Sequence, residues 1–279
     1  MRVALCVFAE MSGVYKCPVC GNTLEKTENG MKCPLSHSFD MSREGYVNLL
    51  TFSRRSGDSR GDSKEMSRSR RDFLDKGYYS VLAEKLASII PLYCGRQSRV
   101  LDICCGEGYY TAFLASRLKD IEFYGFDISK EMVRLASLRR SKARFFVANL
   151  ASNPVNDGSF DLATHLFAPF NEKEFCRVLK KGGHLISVTP GKDHLMGLKK
   201  VLYELPYPND EKTPDVNELT VKDVFRVKTE ILLENNGDIM SLFRMTPYYF
   251  RTPESGRKRL ASLETLKTEI EFIITVYEK

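Results

Sequence analysis

The chain has 279 residues, 43% of them hydrophobic, and a formal net charge of +6. That is enough apolar content for one full core and a small accessory module, and it excludes a disordered or fibrous chain. Eight cysteines in so long a chain do not make a disulfide scaffold, and no stretch is apolar for long enough to cross a bilayer. We therefore expect a soluble, cytoplasmic protein with no membrane partner.

The first short apolar run stops at Glu10 without a cleavage-like site, so no signal peptide is expected. Residues 1–10 read as an extension, or as the product of a start placed upstream of Met11. Residues 11–50 read as one small unit, which with the extension makes up 1–50, and its end, Phe39–Leu50, reads as a turn and a short strand. Within this unit Cys17-Pro-Val-Cys20 is followed after twelve residues by Cys33-Pro-Leu-Ser-His37. Two thiolate pairs or thiolate–imidazole pairs on short turns, at this spacing, suit tetrahedral Zn²⁺. Four protein ligands leave no open position, so Cys17, Cys20, Cys33 and His37 form a structural site and not a hydrolytic centre. Its binding free energy, on the order of 10 kcal/mol, would supply most of the stability of a unit too small for its own core. The expectation for Cys17→Ser is a module that unfolds while the rest of the chain stays folded.

Residues 51–71 read as a basic linker. The stretch 53–71 holds seven basic and three acidic residues, so most of the excess positive charge lies there, and a helix is expected to start near Lys64. From residue 72 to 279 the pattern alternates between short apolar strands and amphipathic helices. Helix Tyr79–Ile90, ended by Pro91, precedes strand Arg99–Cys104, helix Tyr109–Leu118, strand Glu122–Asp127 and helix Lys130–Arg140. Strands Ala143–Ala148 and Phe160–Phe167, helix Glu172–Leu179, strand His184–Thr189 and helix His194–Tyr203 follow. A tail of strand Phe225–Leu233, helix Asp238–Met245 and strand Glu269–Val276 completes an α/β chain with a mainly parallel sheet.

The corner Asp102-Ile-Cys-Cys-Gly106-Glu107-Gly108 lies where a strand meets a helix. Glycines there let the backbone approach a ligand, and the helix start favours a carboxylate. Asp127 ends the next strand, where an acid can accept both hydroxyls of a ribose. The pattern is not the dinucleotide fingerprint, and no Lys follows the glycines as in a P-loop. An acid opening the loop suits a ligand with positive groups, namely an amino acid and a sulfonium. The alternative is a tight strand–helix turn around a satisfied Asp102.

This corner resembles motif I of the Rossmann-type S-adenosylmethionine-dependent methyltransferases, with Cys104 where that motif has its first glycine. The runs His37–Leu50, Gly61–Met66, Arg70–Tyr79, Asp102–Thr111, Val188–Gly191 and Met245–Pro247 resemble the 23S ribosomal RNA guanine-N1 methyltransferases of the RlmA type. The resemblance implies a Rossmann-like domain behind a zinc module, methylation of N1 of one guanine in an rRNA hairpin, and a homodimer. It maps the zinc ligands to Cys17, Cys20, Cys33 and His37, and cofactor contacts to Tyr79, Gly106, Glu107 and His194. Without it, Tyr79 reads as a core aromatic and His194 as a helix cap or surface residue.

Candidate phosphate contacts are Arg54, Arg55, Arg60, Arg68, Arg70 and Arg71, against the plainer reading of a solvated charged face. Phe167-Ala168-Pro169-Phe170 could stack on a base or form an apolar turn. No general base is assigned; Asp161, His165 and Glu10 are the titratable candidates. Two other functions remain open: a small-molecule methyltransferase, and a non-catalytic zinc RNA-binding protein with a vestigial cofactor pocket.

Overall fold

The computed structural model describes residues 13–51, 64–211 and 214–279. Three short strands, β1 (Glu25–Lys26), β2 (Gly30–Lys32) and β3 (Ser38–Asp40), form an antiparallel sheet that carries the cysteine-bearing turns. The chain then crosses to the main sheet. There β4 (Val47–Asn48) pairs in parallel with a later strand, and Leu49 N donates to Val147 O at 3.0 Å.

After β4 come α1 (Lys64–Asp75), α2 (Ser80–Tyr93), β5 (Arg99–Ile103), α3 (Tyr109–Arg117), β6 (Glu122–Asp127), α4 (Lys130–Ser137) and β7 (Arg144–Val147). A 3₁₀ turn at Leu150–Ser152 leads to β8 (Phe160–Leu166), α5 (Glu172–Val178), β9 (Leu179–Pro190) and α6 (Met196–Leu202). The last elements are β10 (Thr220–Leu233), α7 (Asn236–Arg244), α8 (Tyr248–Arg251), α9 (Glu254–Ala261) and β11 (Leu266–Glu278).

Among the described residues the main sheet has eight strands in the order β10-β11-β9-β8-β5-β6-β7-β4. From β4 to β9 neighbouring strands run parallel, while β11 pairs antiparallel with both β9 and β10. The parallel strands read as continuous apolar runs because helices cover both faces. The order reverses at β5: the chain goes on to β6 and β7 on one side and to β8 and β9 on the other. Ligands of such sheets bind beyond the strand carboxyl ends at this switch point.

Local chemistry sets the helix starts. The side chains of Ser129, Asn171 and Asn235 each accept a hydrogen bond from a backbone N–H in the first turn of α4, α5 and α7. Helix α2 runs through Pro91 to Tyr93. Proline removes one donor and that close to the helix end the loss is tolerated, with Cys94 N closing on Ile90 O at 3.2 Å. The helix expected to start near Lys64 is α1, so residues 64–71 at the end of the expected linker stretch are helical. The expected sites Arg54, Arg55 and Arg60, like Glu10, lie outside the described residues.

The cysteine-bearing unit is not an appendage with its own core. Val14, Tyr15, Leu24, Met31, Val47 and Leu49 are buried in one cluster with Leu101, Tyr124, Phe126 and Phe146 of the sheet. The Tyr15 ring meets Phe146 edge to face at 5.1 Å.

Candidate functional site

Two knuckles hold the four expected metal ligands. Gly21 takes φ +77° and its N–H donates to Cys17 O at 2.8 Å, closing the first turn. Ser36 N donates to Cys33 O at 2.9 Å, and Cys33 N to His37 O at 3.0 Å, closing the second. One ligand atom from each of Cys17, Cys20, Cys33 and His37 lies within 4.8 Å of every other. Cys17 Sγ is 3.6 Å from His37 Nδ1, Cys20 Sγ is 3.6 Å from Cys33 Sγ, and Cys33 Sγ is 3.3 Å from His37 Nδ1. Tetrahedral Zn²⁺ with bonds of 2.0–2.3 Å demands ligand–ligand edges of about 3.5–3.8 Å, so the donor set fits the ion. The Asn22 backbone N–H lowers the Cys20 thiol to about 6, while burial raises that of Cys17; a divalent cation among them stabilises all three thiolates. The site is a closed, structural Cys₃His zinc site.

The second site lies over the switch point. Cys104, Gly106 and Gly108 all take left-handed φ values, +57°, +56° and +78°. Gly108 has no alternative, because a Cβ there would sit 2.6 Å from the Ala136 Cβ. Cys104 holds a conformation that glycine would adopt freely, and it faces the ligand side. Burial, reinforced by Asp127 and Asp102, raises its thiol to about 12, so it stays a neutral wall.

Asp127 fastens the corner: its carboxylate accepts from Gly106 N at 3.0 Å and from Ser129 N at 2.9 Å. Asp102 is 4% exposed and ties three elements, accepting from Thr164 Oγ1 at 2.9 Å and from Thr111 Oγ1. Burial outweighs these donors and lifts its carboxyl to about 6. Glu107 is 1% exposed and paired with the Arg139 guanidinium, which also reaches Asp75 at 2.8 Å.

Above this corner lies a cavity of about 390 Å³. It is lined by Cys104 and Gly106, by Asp127, Ile128 and Met132, and by Asn149 and Leu150 beyond β7, while Leu166–Pro169 closes the β8 side. Arg70 of α1 lines it too. A smaller adjoining cavity adds Asp102, Glu107, Tyr109 and Tyr110. The Tyr110 hydroxyl is buried there without a hydrogen-bond partner among the described residues. An orphaned donor beside a glycine corner, with Asp127 at the far side, fits a cofactor with a polar amino-acid end and a ribose.

Tyr79 and His194 are brought together, but not into the lining of either cavity. His194 Nδ1 accepts from Glu271 N at 3.1 Å, so the neutral ring carries its proton on Nε2 and donates to the Tyr79 hydroxyl at 3.3 Å. Burial, with the Lys199 charge, holds His194 down at about 3. Both rings pack on Phe272, which touches Phe167 of the cavity wall at 5.7 Å.

The candidate bases stand elsewhere. Asp161 lies at the amino end of β8, opposite the cavity, and accepts from Arg99 N at 2.9 Å and Lys180 Nζ at 2.7 Å. His165 is buried, with Nδ1 3.2 Å from Ser187 Oγ and Nε2 3.1 Å from Pro169 O. Tyr110, Arg139 and Asn149 were missed from the sequence. The doubled tyrosine after Gly108 was a usable sign for Tyr110. Nothing in sequence spacing couples Arg139 to Glu107, or Asn149 to a cavity.

Fold and corner together define an S-adenosylmethionine-dependent methyltransferase of Rossmann type behind a zinc ribbon. The family described as methyltransferase domain matches residues 100–183, and the family described as RlmA, N-terminal, matches residues 15–56. A Streptomyces fradiae protein named 23S rRNA (guanine(748)-N(1))-methyltransferase is 36% identical over 190 residues, 67% of each chain. YxjB of Bacillus subtilis (strain 168) is 30% identical over 280 residues, covering 94% of this chain and 96% of that one. The crystal structure of Bacillus subtilis YcgJ aligns with a TM-score of 0.50 at 20% identity, over 70% of this chain and 98% of that one, and shows the fold alone. The chain belongs to the RlmA-type family of 23S rRNA (guanine-N1)-methyltransferases. No helix among the described residues is long and apolar enough to cross a membrane.

Proposed function

We propose that this enzyme transfers the methyl group of S-adenosylmethionine to N1 of a guanine in a 23S rRNA hairpin, gripped by the zinc ribbon and the basic segment behind it. One observation carries this reading. A groove of about 590 Å³ runs between the first zinc knuckle (Lys16–Pro18, Gly21), the end of β4 (Leu49–Thr51) and α5 (Glu174, Arg177). Its floor is the stretch from Asn149 to Pro154, and Asn149 lines the cofactor cavity as well. The ribbon groove and the methyl-donor cavity therefore meet at Asn149. A small substrate would need no such extension, which favours an RNA strand.

S-adenosylmethionine would supply an electrophilic methyl group: the acceptor nitrogen would attack that carbon in line, S-adenosylhomocysteine would leave as the neutral thioether, and the N1 proton would pass to a base. The chain aligns the two and keeps water out. We assign the ribose hydroxyls to Asp127, the amino-acid end to the corner Asp102, Gly106, Glu107 and Gly108 with the Tyr110 hydroxyl, and support of that wall to Tyr79 and His194. Asp102, Asp127 and Glu107 already hold the corner, so each acts through one remaining face or through backbone position. Guanine N1 is paired in a duplex, so the base must be extruded before transfer. Arg70 lines the cavity from α1 and Arg68 is exposed on the same helix; we assign both to the RNA backbone. Arg71 is engaged with Asp75 at 3.5 Å. We carry the homodimer over from the family as an expectation.

The test is the release of S-adenosylhomocysteine with and without added 23S rRNA, beside cofactor binding by calorimetry. RNA-dependent release is expected. Release that needs a small-metabolite extract and not RNA would favour a small-molecule substrate, and cofactor binding without any release a non-catalytic RNA-binding protein.

A further inference from the structure

Six non-glycine residues among those described have positive φ, and two of them, Cys104 and Phe167, face the same cavity from the ends of neighbouring strands β5 and β8. Left-handed backbone is disfavoured for a bulky side chain, and such residues cluster at functional sites. Phe167 has φ +55° and is 42% exposed, in a chain whose other phenylalanines mostly pack into the core. Its conformation turns an aromatic ring outward where hydrophobic burial would turn it in.

The corner that presents the ring is fastened on both sides. Phe167 N donates to Val188 O at 3.1 Å, and the Pro169 carbonyl lies 3.1 Å from His165 Nε2. Burial lowers the His165 pKa, so the imidazole is neutral and bonds through both nitrogens. Below, the ring meets the buried Phe272 at 5.7 Å, with 57° between the planes. The corner is held by hydrogen bonds on both sides, and its ring lines the cavity.

Topology says which flat ligand it meets. Asp127 ends β6, on one side of β5, and a ribose held there would put the adenine toward the apolar lining of Ile128, Met132 and Leu150. Phe167 ends β8, on the other side of β5. The glycine corner lies between them, so the ring flanks the methyl-donor end of the cofactor and not its adenine. We propose that Phe167 is the stacking platform for the extruded guanine. This rests on the RNA methyltransferase reading above and adds the residue that receives the base. Stacking of this kind tolerates another aromatic ring but not an aliphatic side chain of similar volume.

The experiment measures single-turnover methylation of 23S rRNA isolated from cells lacking the modification, with cofactor affinity measured on the same preparations. Phe167→Leu and Phe167→Ala should methylate about 10- to 100-fold more slowly, while Phe167→Tyr stays within a few-fold of the parent. Cofactor affinity should be unchanged in all three. Phe167→Gly, which suits the left-handed backbone, separates loss of the ring from backbone strain and should be as slow as Phe167→Ala. Parent-like rates for Phe167→Leu would overturn the proposal. So would a loss of cofactor affinity parallel to the loss of rate, which would make the ring a cofactor wall. If the parent enzyme leaves this RNA unlabelled, the reading beneath the inference fails and the inference with it.

Discussion

Asp127 shows how one carboxylate can serve both loop and ligand. It accepts two backbone N–H groups, from Gly106 and Ser129, and lines the cavity. Asp127→Ala should weaken S-adenosylmethionine binding by about 10- to 100-fold, the worth of hydrogen bonds to a charged group. Asp127→Asn, which keeps one acceptor oxygen, should fall between; calorimetry that finds Asp127→Ala unchanged would contradict the ribose role. His194 gives a pH signature. Its pKa is about 3 in the fold against 6.5 unfolded, so acidification protonates the unfolded chain first and stability falls. Asp102, raised to about 6, acts in the opposite sense below that pH, because the folded state then takes up the proton first. The comparison must therefore be with a variant. The stability advantage of the parent over His194→Gln should shrink by about 2 kcal/mol between pH 7.5 and pH 5 in denaturant titrations. Parallel curves would mean that His194 is not held neutral. The glycines, Asp127 and the zinc ligands were legible in sequence because each answers a local demand. Tyr79–His194 and Glu107–Arg139 pair across 115 and 32 residues, and no local pattern records such contacts.

At the scale of elements, β5 and β6 stand within a residue of where their apolar runs put them, since strands buried on both faces read plainly. β4 is the short strand expected before Leu50, but nothing in its two residues foretells the pairing with β7 that joins the ribbon to the sheet. Helices α8 and α9 went unread because Thr246-Pro247 and Thr252-Pro253 break the helical pattern into short pieces. β4 and the shared core change what zinc does. With Tyr15, Met31 and Leu49 buried among Tyr124 and Phe146, the ribbon has no separate core to melt. Cys17→Ser, or removal of zinc by a chelator, should lower the midpoint of the main thermal transition and not merely add an early one. A calorimetric trace whose main transition is unmoved would restore the picture of an independent module.

For the whole molecule, the account is that a zinc ribbon and a methyl-donor site share one surface because the substrate is too large for either alone. Positive charge near that surface should make RNA binding salt-dependent. Neutralising the exposed Arg68 should reduce the slope of log affinity against log salt by about 0.7 if it meets a phosphate. An unchanged slope would place Arg68 off the RNA path. The most direct measurement of the central claim is transfer of labelled methyl from S-adenosylmethionine to unmodified 23S rRNA, followed by nucleoside analysis and mapping. The account predicts label in 1-methylguanosine alone, at a single hairpin position. Label in another nucleoside, or none at all from a zinc-loaded, cofactor-binding enzyme, would contradict it.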